Sequence, residues 1–60
     1  MPIINVKVYE GRLNAETEPK LIAGMTQVLV DTFGEGMREH TTVILEEIKP
    51  SRWGVAGKTA

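Results

Sequence analysis

Two short apolar runs bracket a single amphipathic stripe, and that order leaves this chain very few folds. The first run, Pro2-Ile3-Ile4-Asn5-Val6-Lys7-Val8-Tyr9, settles into apolar and polar alternation, the period of a β-strand. The second, residues 41–48, reads Thr-Thr-Val-Ile-Leu-Glu-Glu-Ile and is nearly continuous in its apolar centre, as strands covered on both faces are, with Pro50 closing it. Between them Leu21, Ile22, Met25, Val28, Leu29, Thr32 and Phe33 fall on one helical face, with Lys20, Gln27 and Asp31 off it. Strand, helix and strand in that order predict an α/β chain built on one β-α-β unit with parallel strands. A lone helix covers one face of such a sheet. The other face also carries Ile, Val and Leu, so another subunit is expected to cover it.

The helix ends are marked less cleanly. Glu10-Gly11-Arg12-Leu13-Asn14 reads as a turn, with Asn14 placed to cap the helix. Pro19 would then sit beyond the first turn, where a proline removes a helical hydrogen bond; the alternative is a helix that begins nearer Glu18 with Pro19 in a tolerated first position. Gly24 weakens a helix interior and is expected to mark a close approach to another element. Gly34 is a C-terminal stop. The tail Arg52-Trp53-Gly54-Val55-Ala56-Gly57-Lys58 suits a small hairpin or a docking arm.

Sixty residues make one domain, 1–60, and a core of that size is marginal without a staple. There is no cysteine, and His40, the sole histidine, lacks the partners of a structural zinc site; it reads as a surface residue, and no metal or cofactor is expected. Self-association is the remaining device. Seven basic and eight acidic residues give a net charge of -1, which argues against nucleic acid as a partner. No apolar stretch approaches a membrane span and no signal-type segment opens the chain, so the expectation is a cytoplasmic protein.

Pro2 carries the strongest chemical signal. Once the initiator methionine is removed, its nitrogen becomes a free secondary amine, and an α-amino group titrates at about 8 and lower in an apolar or cationic setting. It is then a general base made without a side chain, held by the strand it opens.

Pro2, an apolar strand ending in Tyr9-Glu10-Gly11-Arg12, an amphipathic helix, a second strand ending in Glu46-Glu47-Ile48, and Trp53-Gly54-Val55-Ala56-Gly57 together resemble the 4-oxalocrotonate tautomerase family over almost the whole chain. The resemblance implies a cofactor-independent isomerase in which Pro2 moves a proton between the enol and keto forms of an unsaturated acid. It implies that Arg12 binds a substrate carboxylate, that Trp53 walls the pocket, and that β-α-β dimers assemble as a homohexamer with sites shared between subunits. A second arginine of the family pattern falls on Thr42, which leaves Arg38 and Arg52 as candidate second cations and keeps monocarboxylate substrates open alongside dicarboxylates.

Two other readings share these residues. The fold could serve hydration or hydrolytic dehalogenation of an unsaturated acid, for which Glu46 or Glu47 would have to activate water. Adjacent strand residues point to opposite faces, so the two carboxylates read as structural and not as a catalytic pair. A non-enzymatic oligomerising module is the third reading, and it makes methionine removal irrelevant.

Overall fold

The strands pair as the element order requires. In a computed structural model that describes residues 2–60, β1 (Ile3–Tyr9) and β2 (Thr42–Ile48) lie parallel, in register from Ile3 opposite Thr42 to Tyr9 opposite Ile48. Helix α1 (Thr17–Phe33) connects them, and a hairpin of β3 (Gly54–Val55) and β4 (Lys58–Thr59) follows. Single 3-10 turns at Glu35–Met37 and Pro50–Arg52 bridge the elements. The tail is thus the hairpin of the two forms expected.

Both readings of the helix start hold in part. Asn14 Oδ1 accepts the backbone N–H groups of Glu16 and Thr17 at 2.8 and 2.9 Å, the Asn14 carbonyl accepts the Glu18 N–H at 3.0 Å, and Thr17 Oγ1 accepts the Asn14 N–H at 2.9 Å. These bonds close a reciprocal, cap-like turn at Asn14 just ahead of the helix, whose own capping position, Glu16, makes no side-chain cap bond. Pro19 has no N–H to continue the ladder, so regular helix is delayed to Thr17. At the far end Gly34, at φ 109°, donates its N–H to Val30 at 2.8 Å and turns the chain out of the helix. The expectation for Gly24 fails within the chain: a Cβ built there meets nothing within 4 Å. Instead Gly24 borders an open cleft beside the helix.

Alternation in β1 and β2 sends Ile4, Val6, Val8, Val43 and Leu45 toward the helix side, where α1 packs chiefly on β2. The open face therefore has no Val or Leu, contrary to expectation. It carries Ile3, Thr42 and Ile44 at one end, Tyr9 and Ile48 at the other, and the polar trio Asn5, Lys7 and Glu46 between them.

No described residue is buried, and Phe33, Ile3, Val28 and Ile44 are 69, 66, 54 and 42 % exposed. The chain is a slab of 41 × 27 × 15 Å with a radius of gyration of 14.0 Å, where a compact chain of this length has roughly 10 Å. A single copy leaves its apolar faces uncovered, a surface that soluble monomers rarely present.

The hairpin turn stores local strain. Ala56 at φ 54° and Gly57 at φ 79° both occupy the left-handed region, as a two-residue primed turn requires. A Cβ in that region costs about 1–2 kcal/mol, which Asn tolerates better than Ala. Ala56→Asn is expected to raise unfolding free energy by about 1 kcal/mol in denaturant titrations at fixed protein concentration. Ala56→Gly should gain less, because glycine adds entropy to the unfolded chain.

Candidate active site

The parallel register sorts the site residues to two ends of the sheet. Pro2 lies half-buried at the end where both strands begin, its carbonyl accepting the Thr42 N–H at 3.0 Å. That bond fixes the backbone carrying the Pro2 nitrogen. Tyr9, Arg12, Ile48, Arg52 and Trp53 lie at the end where both strands finish. Strands of seven residues separate the two groups by roughly 20 Å. One chain therefore does not bring Pro2 to Arg12 or Trp53.

At the far end the residues divide between the sheet faces. Trp53 meets Tyr9 edge to face, with ring centroids 4.5 Å apart, and with Arg52, Lys7 and Ile48 it lines a cleft of about 310 Å³ on the open face. Arg12 is exposed and borders a cleft of about 330 Å³ on the helix side, with Val8, Leu13, Lys20, Leu21 and Gly24. Thr42, where the family pattern has its second arginine, lies opposite Ile3 and offers its backbone N–H to Pro2. Arg38 follows the 3-10 turn after α1 and is committed: its Nε donates to Glu35 at 2.7 Å and its Nη2 to Gln27 at 2.9 Å. The hydrogen bond and the charge of Glu35 raise the guanidinium pKa further. Arg52 has no ion pair among the described residues. It adjoins Trp53, so it is the better placed of the two candidates.

The family model for tautomerase enzymes matches residues 2–60, from the proline to the last residue. The chain belongs to the 4-oxalocrotonate tautomerase family. Probable tautomerase K2 of Dickeya dadantii is 39% identical over 59 residues, covering 98% of this chain and 87% of that protein. Among solved structures, SAR1376 of methicillin-resistant Staphylococcus aureus superposes with a TM-score of 0.84 at 40% identity, over 97% of this chain and 90% of that one. TomN, a 4-oxalocrotonate tautomerase homologue in the tomaymycin biosynthetic pathway, gives 0.83 at 34%, over 97% and 86% of the two chains.

In this tautomerase-family chain the two adjacent glutamates do separate to opposite faces. Glu46 accepts from Asn5 Nδ2 at 2.9 Å and from Lys7 Nζ at 3.0 Å on the open face. Glu47 accepts from the backbone N–H groups of Gly11 and Leu13 on the loop after β1. Both carboxylates have partners, and no described group of three or more acidic or histidine residues is arranged to hold a metal. No described helix is long and apolar enough to cross a membrane. His40 is exposed in the turn before β2.

Sequence reading passed over Lys7, Tyr9 and Lys20. The alternation of β1 puts Lys7 and Tyr9 on the face of Trp53, and Lys20 lies one residue ahead of the helical stripe, so periodicity carried a signal for all three.

The Asn5 hydrogen bond, and then the hydrogen bond and charge of Lys7, hold Glu46 below the usual carboxylate range. A depressed native pKa stabilises the fold above the unfolded value, and that contribution is lost as pH falls through the native one. Glu46→Gln is therefore expected to narrow the drop in denaturation midpoint between about pH 7 and about pH 3 relative to the parent chain.

Proposed function

We propose that the chain is a cofactor-independent isomerase that interconverts enol and keto forms of a small 2-hydroxydienoate or enolpyruvate-type acid, with Pro2 as its general base and acid. The supporting observation is that the family match begins at Pro2, whose backbone is held in the sheet by Thr42. With Met1 removed, the Pro2 nitrogen is a free amine able to take a proton from the enol oxygen or α-carbon and return it to the far carbon. Arg12 holds the substrate carboxylate and draws charge toward itself as the enolate forms. Trp53 keeps the pocket apolar, which disfavours the protonated amine and keeps the base free near neutral pH.

Because these residues stand at opposite ends of one chain, each site is assembled from different subunits of a homo-oligomer, a hexamer built as a trimer of dimers. The uncovered Ile3, Ile44 and Phe33 supply surface for that assembly. Arg52 is the favoured second cation over Arg38.

The test is ultraviolet monitoring of 2-hydroxymuconate and phenylenolpyruvate. The processed chain, confirmed by intact mass, is compared with a chain whose N-terminal extension leaves the Pro2 nitrogen as an amide. Turnover by the processed chain alone is the expected result; equal turnover by both removes Pro2 from the chemistry.

A further inference from the structure

Arg12 stands on a loop that one carboxylate holds. Glu47 Oε2 accepts the Gly11 N–H at 2.6 Å and the Leu13 N–H at 3.5 Å, so a single oxygen grips the residues on both sides of Arg12. Three further bonds fix the same turn: the Glu10 N–H donates to Ile48 at 3.0 Å, the Arg12 N–H donates to Tyr9 at 3.3 Å, and Thr17 Oγ1 donates to the Arg12 carbonyl at 3.4 Å. Gly11 takes φ 94°, a conformation that leaves its N–H turned toward β2 without a strand partner. Of these groups only Glu47 brings a charge, and a hydrogen bond to a carboxylate is about twice as strong as one between neutral groups.

We propose that Glu47 is the positioning residue for Arg12: it does not touch substrate, but it sets where the guanidinium meets the substrate carboxylate. This rests on the reading that Arg12 binds that carboxylate. It departs from the view of Glu47 as a purely structural strand residue and from a water-activating role, since Oε2 is engaged by two amides that tie the carboxylate to the loop. Loosening the loop lets Arg12 move by a fraction of an ångström to an ångström. Such shifts are costly for an oriented group and cost nothing where the substrate has no carboxylate to orient.

The experiment compares phenylenolpyruvate with its methyl ester, which keeps the enol and loses the free carboxylate. For each variant the ratio of kcat/KM for acid over ester is measured. Arg12→Ala is expected to collapse the ratio. Glu47→Ala is expected to lower it about tenfold, mainly through KM for the acid, with the ester within about twofold of the parent. Glu47→Gln, which keeps one acceptor oxygen, should recover at least part of the loss; it also carries the test if the alanine variant fails to fold. In the Arg12→Ala background Glu47→Ala should lower the ratio no further. Equal losses on acid and ester in both Glu47 variants would make Glu47 a structural residue only and overturn the proposal. An unchanged ratio in Arg12→Ala would overturn the role of Arg12 itself, so the two failures are distinct.

Discussion

Neither Pro2→Ala nor Arg12→Ala is expected to keep more than about a hundredth of the parent activity, yet the two inactive proteins, unfolded together and refolded as a mixture, should recover about a quarter of it. The expectation follows from register. Pro2 lies beside Thr42 and Arg12 lies beyond Tyr9, at opposite ends of strands of seven residues. A site that needs both must draw them from two chains. In a randomly mixed assembly one subunit has an even chance of supplying the intact proline, and the other an even chance of supplying the intact arginine. The product is about one in four. If each chain housed a complete site, every site in the mixture would carry one lesion and no activity would return. Size-exclusion chromatography of both variants, showing the elution volume of the parent, would confirm that subunits and not the fold were exchanged. A mixture as inactive as its components would sink the shared site.

The sequence made the strand-helix-strand order legible because each element carries a distinct period: β1 alternates, β2 is an apolar run bounded by Pro50, and the stripe from Leu21 to Phe33 repeats as a helix does. Stop signals were legible where one residue decides them, as at Gly34, whose φ of 109° disfavours a side chain. The helix start was ambiguous because Asn14 and Pro19 give opposed local instructions, and the chain obeys both. Gly24 meets no other element within the chain, because a glycine in a helix signals room without saying what uses it. Within the proposed site, Pro2 stands out by position alone and Arg12 only through the family pattern. The hold of Glu47 on the Gly11 loop was hidden because it depends on which face of β2 looks toward that loop, a fact of register and turn geometry that no local spacing contains. Arg38 illustrates the same limit: its charge is visible in the sequence, and its engagement by Glu35 and Gln27 is not.

Ile44→Glu is expected to abolish activity without touching a residue assigned to the chemistry. Ile44 lies on the open face of the sheet opposite Asn5, 42 % exposed in a single chain in which no described residue is buried. If a second subunit covers that face, as the slab shape and the exposed Ile3 also argue, a carboxylate there is taken out of water with Glu46 two residues away on the same face. Lys7 and Asn5 are already committed to Glu46 and leave the newcomer no partner. Removing an unpaired charge from water costs several kcal/mol, enough to shift an association equilibrium by two or more orders of magnitude. Dissociated chains would hold Pro2 and Arg12 roughly 20 Å apart and turn nothing over. Sedimentation velocity at assay concentration should show a smaller species for Ile44→Glu than for the parent, with activity lost in parallel. Ile44→Val, which keeps the apolar contact and removes one methylene, should assemble and work nearly as the parent does. Full activity in a dissociated Ile44→Glu chain would mean that one copy holds everything the reaction needs, in conflict with the opposite placement of Pro2 and Arg12 along the strands.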